Sequence, residues 1–382
     1  MPQRQELLHS AERLQAYLLQ RHFKGSALCG PDAGVRFNLR LSRFFKSALD
    51  FVPWQDNFVF MQTQGYWILA NWMMYEATGE PNCREVAIET TEASLSLQRT
   101  EGFWIYPLPE RRHLIATVEG NWGAIGLLAT YAREPRPEYL AAAIRWYDFL
   151  VSRIGFQAHA RGKAVNYFDR PRGKVPNNSV EAAWFFLRLW KATHDNRFLE
   201  HVDPLLEFVA EVQLPTGELP YIVQSPREKA REHYLCFQYN AFQFLKLAWA
   251  RILRPGTVGD SILSRLAGFL AGGVKPSGSC AADCASAHQG GPEVDYYTAA
   301  LAAALWEAAR LGLSATPQLA DRCYARVLAR QRLDGSFGFS TGDYGFLRDQ
   351  RSYPRAMAMT LFHLLYGCGL GDGFSSAGNG YY

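Results

Sequence analysis

A glutamine followed four residues later by a glycine recurs along the chain at the end of amphipathic stretches, and its period restricts the fold more than any other feature. Gln331 to Gly338 reads QRLDGSFG, and Gln98, Gly102 and Trp104 (QRTEGFW) keep the same Gln-x-x-x-Gly-x-aromatic spacing. Gln213 with Gly217 repeats it less fully, and Val274 with Gly278 repeats it with the glutamine lost. The starts at 98, 213, 274 and 331 lie 115, 61 and 57 residues apart. That spacing fits a unit of roughly 58 residues with one degenerate copy near Gly155, and a period of this length means an array of supersecondary units. The unit is a helical hairpin, which can bury its apolar face only against its neighbours in the array.

Between the motifs the chain alternates two kinds of helix. Amphipathic helices are expected near Glu6–His22, Glu85–Leu97, Glu138–Arg153, Leu199–Val212, Ser261–Ala271 and Leu319–Arg330. In the third of these, Leu140, Ile144, Tyr147 and Val151 recur at helical spacing while Glu138, Arg145 and Asp148 point away, the pattern of a single buried stripe. Helices apolar nearly all round are expected near Gln62–Ala77, Glu119–Ala132, Ser179–Thr193, Tyr239–Ile252, Asp295–Leu311 and Pro354–Tyr366. Segments such as VEAAWFFLRLW and TAALAAALWEAA must be enclosed on every side. Six outer and six inner helices follow.

Six such hairpins resemble the (α/α)6 toroid, an all-α barrel shared by terpenoid cyclases, protein prenyltransferase β-subunits and many sugar-processing glycosidases, lyases and epimerases. The resemblance implies a single toroid domain over residues 1–368, with the Gly- and Ser-rich stretch 369–382 as a flexible tail. At 382 residues the chain exceeds one ordinary domain, but a closed array grows around one axis instead of splitting. A content of 48% hydrophobic and 20% charged residues supplies the core and argues against disorder. The net charge of +4 is spread among interleaved acids with no basic run, so nucleic acid is not an expected partner. The N-terminus lacks an apolar signal core, and no uncharged run is long enough for a membrane span. With seven scattered cysteines, a soluble cytoplasmic protein is expected.

Loop lengths locate the site. Connections from inner to outer helices (TGEPN, REPRP, THDNR) are short, whereas 23–61, 103–118 and 155–178 are long and lie before inner helices. Long ordered loops of this kind are lids or binding loops, and the helix N-termini beneath them favour an anionic ligand. That rim places polar groups inside otherwise apolar helices: Gln62, Glu119, Asn121, Asn177, Asn178, Glu181, Gln238, Asn240, Glu293, Asp295 and Arg355, with Tyr66, Trp122, Tyr239 and Tyr297 as aromatic neighbours. Taken one by one, such residues cap first turns. Taken together, they describe a cavity lined for hydroxyl-bearing ligands.

Glu119 and Asp295 sit on the second and fifth inner helices, which face each other in a ring of six. With neighbouring axes about 9 Å apart, the two side chains reach to roughly 6–9 Å, the separation at which one carboxyl protonates a leaving group and the other activates water. Asn177, Asn178, Arg231 and Tyr239 or Tyr234 resemble the Asn, Arg and Tyr set of toroid uronate lyases, which implies carboxylate neutralisation by Asn and Arg and proton transfer by Tyr. Ser179 stands where those lyases commonly carry a histidine. Loop cations such as Arg111, Arg112, Arg161, Lys163, Arg172, Lys174 and Arg351 would suit an acidic sugar. Residues 293–299 (EVDYYTA) resemble the Asp-x-Asp-Asp-Thr-Ala motif of class II terpenoid cyclases, which implies Asp295 as proton donor, although Tyr296 replaces the third acid. Cys280, Cys284 and His288 are spaced to share a helical face, but read as chance neighbours, so no metal or cofactor is expected.

The preferred reading is an enzyme acting on a saccharide, acidic in character, by lyase, epimerase or glycosidase chemistry. Asp295, Glu119 and Tyr239 are its catalytic candidates, and Asn177, Asn178, Arg231, Trp122, Tyr66, Gln238, Tyr297 and Arg355 its binding candidates. A terpenoid cyclase and a non-catalytic binding toroid are the alternatives. Oligomeric state is not legible in the sequence.

Overall fold

The computed structural model describes residues 4–35, 41–284, 292–313, 317–343 and 347–370. Its helices are α1 (Arg4–Arg21), α2 (Leu41–Ala48), α3 (Met61–Thr78), α4 (Pro81–Ser96), α5 (Thr117–Tyr131), α6 (Pro137–Phe149), α7 (Pro176–Thr193), α8 (Val202–Val212), α9 (Cys236–Leu253), α10 (Asp260–Ala271), α11 (Asp295–Arg310), α12 (Pro317–Leu328) and α13 (Pro354–Gly367). The six nearly all-apolar helices, α3, α5, α7, α9, α11 and α13, pack in sequence order, and α13 packs back on α3 to close the ring. The amphipathic helices α1, α4, α6, α8, α10 and α12 lie outside them, each showing one buried stripe. This is the (α/α)6 toroid. Among the described residues no helix is long and apolar enough to cross a membrane.

The inner helices are enclosed because their sequences leave no polar face. In α5 everything from Gly120 to Thr130 is buried, and Trp122, Trp184 and Trp249 meet edge-on or tilted across neighbouring helices at centroid separations of 6.0 and 4.9 Å. Helix α2 and three two-stranded antiparallel hairpins, β1/β2 (Phe23–Lys24, Ala27–Leu28), β3/β4 (Phe156–His159, Gly162–Val165) and β5/β6 (Ser340–Asp343, Leu347–Asp349), decorate the long loops. None of these was foreseen from the sequence. The expected tail lies outside the described residues apart from Gly369 and Leu370.

The repeated motif proves to be a staple between consecutive outer helices. The Gln98 amide donates to Gly102 O and to Ala142 O of α6, the Gln213 amide to Gly217 O and Ile262 O of α10, and the Gln331 amide to Gly335 O and Ser10 O of α1, each at 2.9 to 3.0 Å. The glycines then lie against the same helices. With φ of +103°, +92°, +86° and +88°, Gly102, Gly217, Gly278 and Gly335 occupy a region costly for other residues. An ideal Cβ on them would come 2.4, 2.2, 2.6 and 2.4 Å from the carbonyl oxygens of Arg145, Arg265, Arg322 and Arg13. Those arginines return hydrogen bonds: Arg13 reaches Arg332 O and Leu333 O, Arg265 reaches Leu214 O, and Arg322 reaches Lys275 O.

The degenerate copy behaves differently. Gly155 has φ +69° but nothing within 4 Å of an added Cβ. Its role passes to the β3/β4 hairpin, where a Cβ on Gly162 would meet Phe208 N of α8 at 2.4 Å. A hairpin replaces the glutamine turn, so the period is lost in sequence and kept in space.

Gly335→Ala combines a left-handed backbone with a backbone clash and should destabilise by about 3 kcal/mol or more. Gly79→Ala, at φ +74° with open space around it, should cost only about 1 kcal/mol. Urea unfolding of the two variants beside the parent protein checks the difference, and equal losses would remove the staple's special role.

Candidate active site

The first turns of all six inner helices open onto one cavity on the long-loop face. Gln62 of α3, Glu119 of α5, Asn177 and Asn178 of α7, Gln238 and Tyr239 of α9, Tyr296 of α11 and Arg355 of α13 line it. Phe242, Lys246 and Met359 form deeper wall, and loops add Asp32, Tyr106, Tyr167, Tyr221, Phe339 and Tyr353. Its volume is about 120 Å³.

Glu119 is the central group. It is 1% exposed, its Oε2 accepts the Gln62 backbone N–H at 3.2 Å, and its Oε1 faces no partner in the protein. Burial pushes its pKa up from 4.5 to about 7, against the opposing pull of Arg355 and of the Gln62 and Met61 N–H groups. Asn177 Oδ1, Asn178 Nδ2 and Gln238 Oε1 likewise have no protein partner. Buried polar atoms are nearly always satisfied, so four such atoms around one cavity describe a surface made to be completed by a polar ligand.

The cavity's cations are engaged. Both Arg355 Nε and an Nη hold the two oxygens of Asp32 at 2.8 Å, with the guanidinium 4.5 Å over Phe60. Lys246 bonds Glu181, which also takes the Trp122 indole N–H at 2.8 Å. Tyrosine hydroxyls fill much of the remaining wall. Burial pushes Tyr106 and Tyr296 up to about 12 and Tyr239 well above 10, so all three are protonated donors. Tyr296 also accepts from Gln238 Nε2 at 3.3 Å.

Several residues expected in this site lie elsewhere. Asp295 does not face Glu119: its carboxylate turns toward the outer layer and pairs with Arg330, next to the Glu293–Arg326 pair. The following residue, Tyr296, takes the inward position on the same helix, because successive helical residues diverge by about 100°. Tyr66 and Trp122 stack on each other at 3.8 Å inside the barrel, below the cavity. Tyr297 packs edge-on against Tyr296 at 4.5 Å and is buried away from the opening. Arg231 is exposed, with its guanidinium 3.7 Å from the Tyr234 ring centroid. Cys280 is buried with its N–H on Thr298 Oγ1, and His288 lies outside the described residues.

Sequence reading missed Asp32, Tyr106, Tyr167, Tyr221, Tyr353 and Lys246. The loop residues carry no periodic signal. Lys246 had one: it is the sole cation in the apolar run FQFLKLAWA, as Glu181 is the sole acid in VEAAWFF, and lone opposite charges on neighbouring buried helices must pair.

No protein-family model matches the sequence, and no curated protein matches it. Solved structures do. A cellobiose 2-epimerase from Bacillus thermoamylovorans superposes with a TM-score of 0.75 at 11% identity, over 94% of this chain and 98% of that one. A polysaccharide lyase matches at 0.68 and 13%, covering 96% and 97%. A possible member of glycoside hydrolase family 105 from Salmonella enterica matches at 0.68 and 14%, covering 96% and 94%. At such identities the likeness establishes the toroid fold.

The raised pKa of Glu119 has a stability consequence. The native state binds this proton more tightly than the unfolded chain does, so the stabilisation is complete below about pH 4.5 and is lost as pH rises through about 7. Glu119→Gln removes that slope. Relative to the parent protein, the variant should gain of order 2–3 kcal/mol between about pH 5 and pH 8, read from urea midpoints across that range. Parallel pH profiles for the two proteins would contradict the assignment.

Proposed function

We propose that this protein is an enzyme acting on a saccharide by proton transfer at a sugar carbon, with Glu119 as base and Tyr296 as partner acid. The observation that carries the reading is Glu119 itself, a buried carboxylate poised near neutrality with one oxygen free toward a cavity of unpartnered amides and tyrosines. A general base works best when its pKa lies near the working pH. Tyr296 stands on α11, the helix opposite α5 in the ring, and its protonated hydroxyl can return a proton or hold a developing enolate oxygen. Free amide groups suit ring hydroxyls, and tyrosine faces suit the apolar side of a sugar ring.

Charge and carboxylate placement bear on the substrate and the reaction. Asp32 neutralises Arg355 and Glu181 neutralises Lys246, so among the described residues the lining offers no uncompensated cation to a uronate. Three of the loop cations are also engaged: Arg161 pairs with Glu211, Lys174 reaches His159, and Arg351 binds carbonyls of Lys46 and Leu49. A neutral sugar is the better fit. Hydrolysis calls for a second carboxylate free to act on water or the anomeric carbon, and both oxygens of Asp32 are held by Arg355. Epimerisation next to a carbonyl needs one base and one acid, the set present here. The similarity to a cellobiose 2-epimerase agrees with this choice. The terpenoid reading loses its donor, since Asp295 is bound by Arg330 away from the cavity. A cytoplasmic location accords with seven free thiols.

Incubation with a neutral reducing disaccharide in heavy water should yield an epimer carrying one solvent deuteron beside the carbonyl. Glu119→Gln should lower turnover by about 10²- to 10⁴-fold without unfolding the protein, and Tyr296→Phe should lower kcat more than it raises KM. Release of monosaccharides, or an unsaturated product from a uronyl disaccharide, would identify a hydrolase or lyase instead.

A further inference from the structure

A second cluster of chemically active side chains lies beside the cavity and takes no part in the proposed reaction. Glu218 follows the Gln213–Gly217 staple, His233 and Cys236 bracket the start of α9, and Cys284 comes from the loop before α11. One donor atom from each converges so that all four lie within 4.8 Å of one another. His233 Nδ1 is 2.8 Å from Glu218 Oε2 and 3.2 Å from Cys284 Sγ. Cys284 Sγ is 2.8 Å from Cys236 Sγ and 3.5 Å from Glu218 Oε2.

We infer that Glu218, His233, Cys236 and Cys284 form a closed, four-ligand zinc site that ties the approach loops of α9 and α11 together. Two sulfurs, one imidazole nitrogen and one carboxylate oxygen are a ligand set typical of zinc, and two thiolates discriminate against magnesium and calcium. Bond lengths of about 2.0–2.3 Å place tetrahedral ligand atoms roughly 3.3–3.8 Å apart, so the donors need to spread by less than about 1 Å to surround an ion. Four protein ligands leave no open position, which makes the role structural.

Local chemistry agrees. Glu218 is 1% exposed, a buried carboxylate that takes hydrogen bonds from the His233 imidazole and the Cys284 thiol. Zinc is held by thiolates, so binding must release both thiol protons to solvent. Leu235, between two of the ligands, has φ +46°. A leucine there is strained and persists where its surroundings over-determine it. His233 is partly exposed, which gives the ion a route in. Gln238 and Tyr239 of the cavity wall follow Cys236 by two and three residues, so the site would brace that wall from behind. The inference is independent of the proposed reaction.

The test is metal content. Protein expressed with added zinc and isolated under anaerobic, chelator-free conditions should carry about one zinc per chain. Cys284→Ser and His233→Ala should lower occupancy at least tenfold, whereas Cys280→Ser, in a buried thiol outside the cluster, should leave it unchanged. Cobalt substitution should give a thiolate-to-metal charge-transfer band that Cys236→Ser weakens, and chelation of the parent protein should lower Tm without abolishing the helical signal. Folded protein that neither carries nor takes up zinc overturns the inference. So does a Cys236–Cys284 disulfide in the anaerobically isolated chain, or zinc occupancy indifferent to both cysteine substitutions.

Discussion

The toroid depends on one contact made repeatedly: a glutamine amide and a glycine Cα at the end of one outer helix set against the backbone of the next. Each hairpin buries its apolar face only on its neighbours, so an unclosed array would leave two exposed edges. Gln331 bonding Ser10 O, with Gly335 against Arg13 O, joins the last unit to the first across more than 320 residues. Loop-closure entropy grows only logarithmically with chain length, so this long-range closure costs little more than the local ones. Any side chain at the glycine would hold the helices apart, which is why the motif tolerates loss of the glutamine at Val274 but keeps Gly278.

Closure also creates the site. Each inner helix contributes only one or two first-turn residues to the cavity, so its lining is assembled from all six. The barrel interior beneath is crossed by a polar chain: Lys246 to Glu181, Glu181 to the Trp122 indole, and Asn121 to the Trp146 indole of the outer layer. Such a buried ion pair adds little net stability, yet removing either partner strands a charge. Its consequence here is electrical. With Lys246 and Arg355 both compensated, Glu119 is the lining carboxylate without a salt-bridge partner among the described residues, and burial outweighs the pull of Arg355 in setting its acidity.

The six hairpins, their order, the face that carries the candidate cavity and the placement of Glu119 in its lining were legible in the sequence, because 3.6-residue periodicity, repeat spacing and loop length are local properties of the chain. Asn177, Asn178, Gln238, Tyr239 and Arg355 were legible for the same reason, being polar residues in first turns of helices that have no polar face. Asp295 was not, since a first-turn residue can point inward or outward, and one step of about 100° moves the inward role to Tyr296. Only the tertiary structure chose between them, through Arg330 arriving from the outer layer. The same holds for Asp32 beside Arg355, for the tyrosines delivered by long loops, and for Glu218, His233, Cys236 and Cys284. These groups lie far apart in sequence and have no common period. What brings them together is the closing of the ring, a property of the whole chain that no local window of sequence contains.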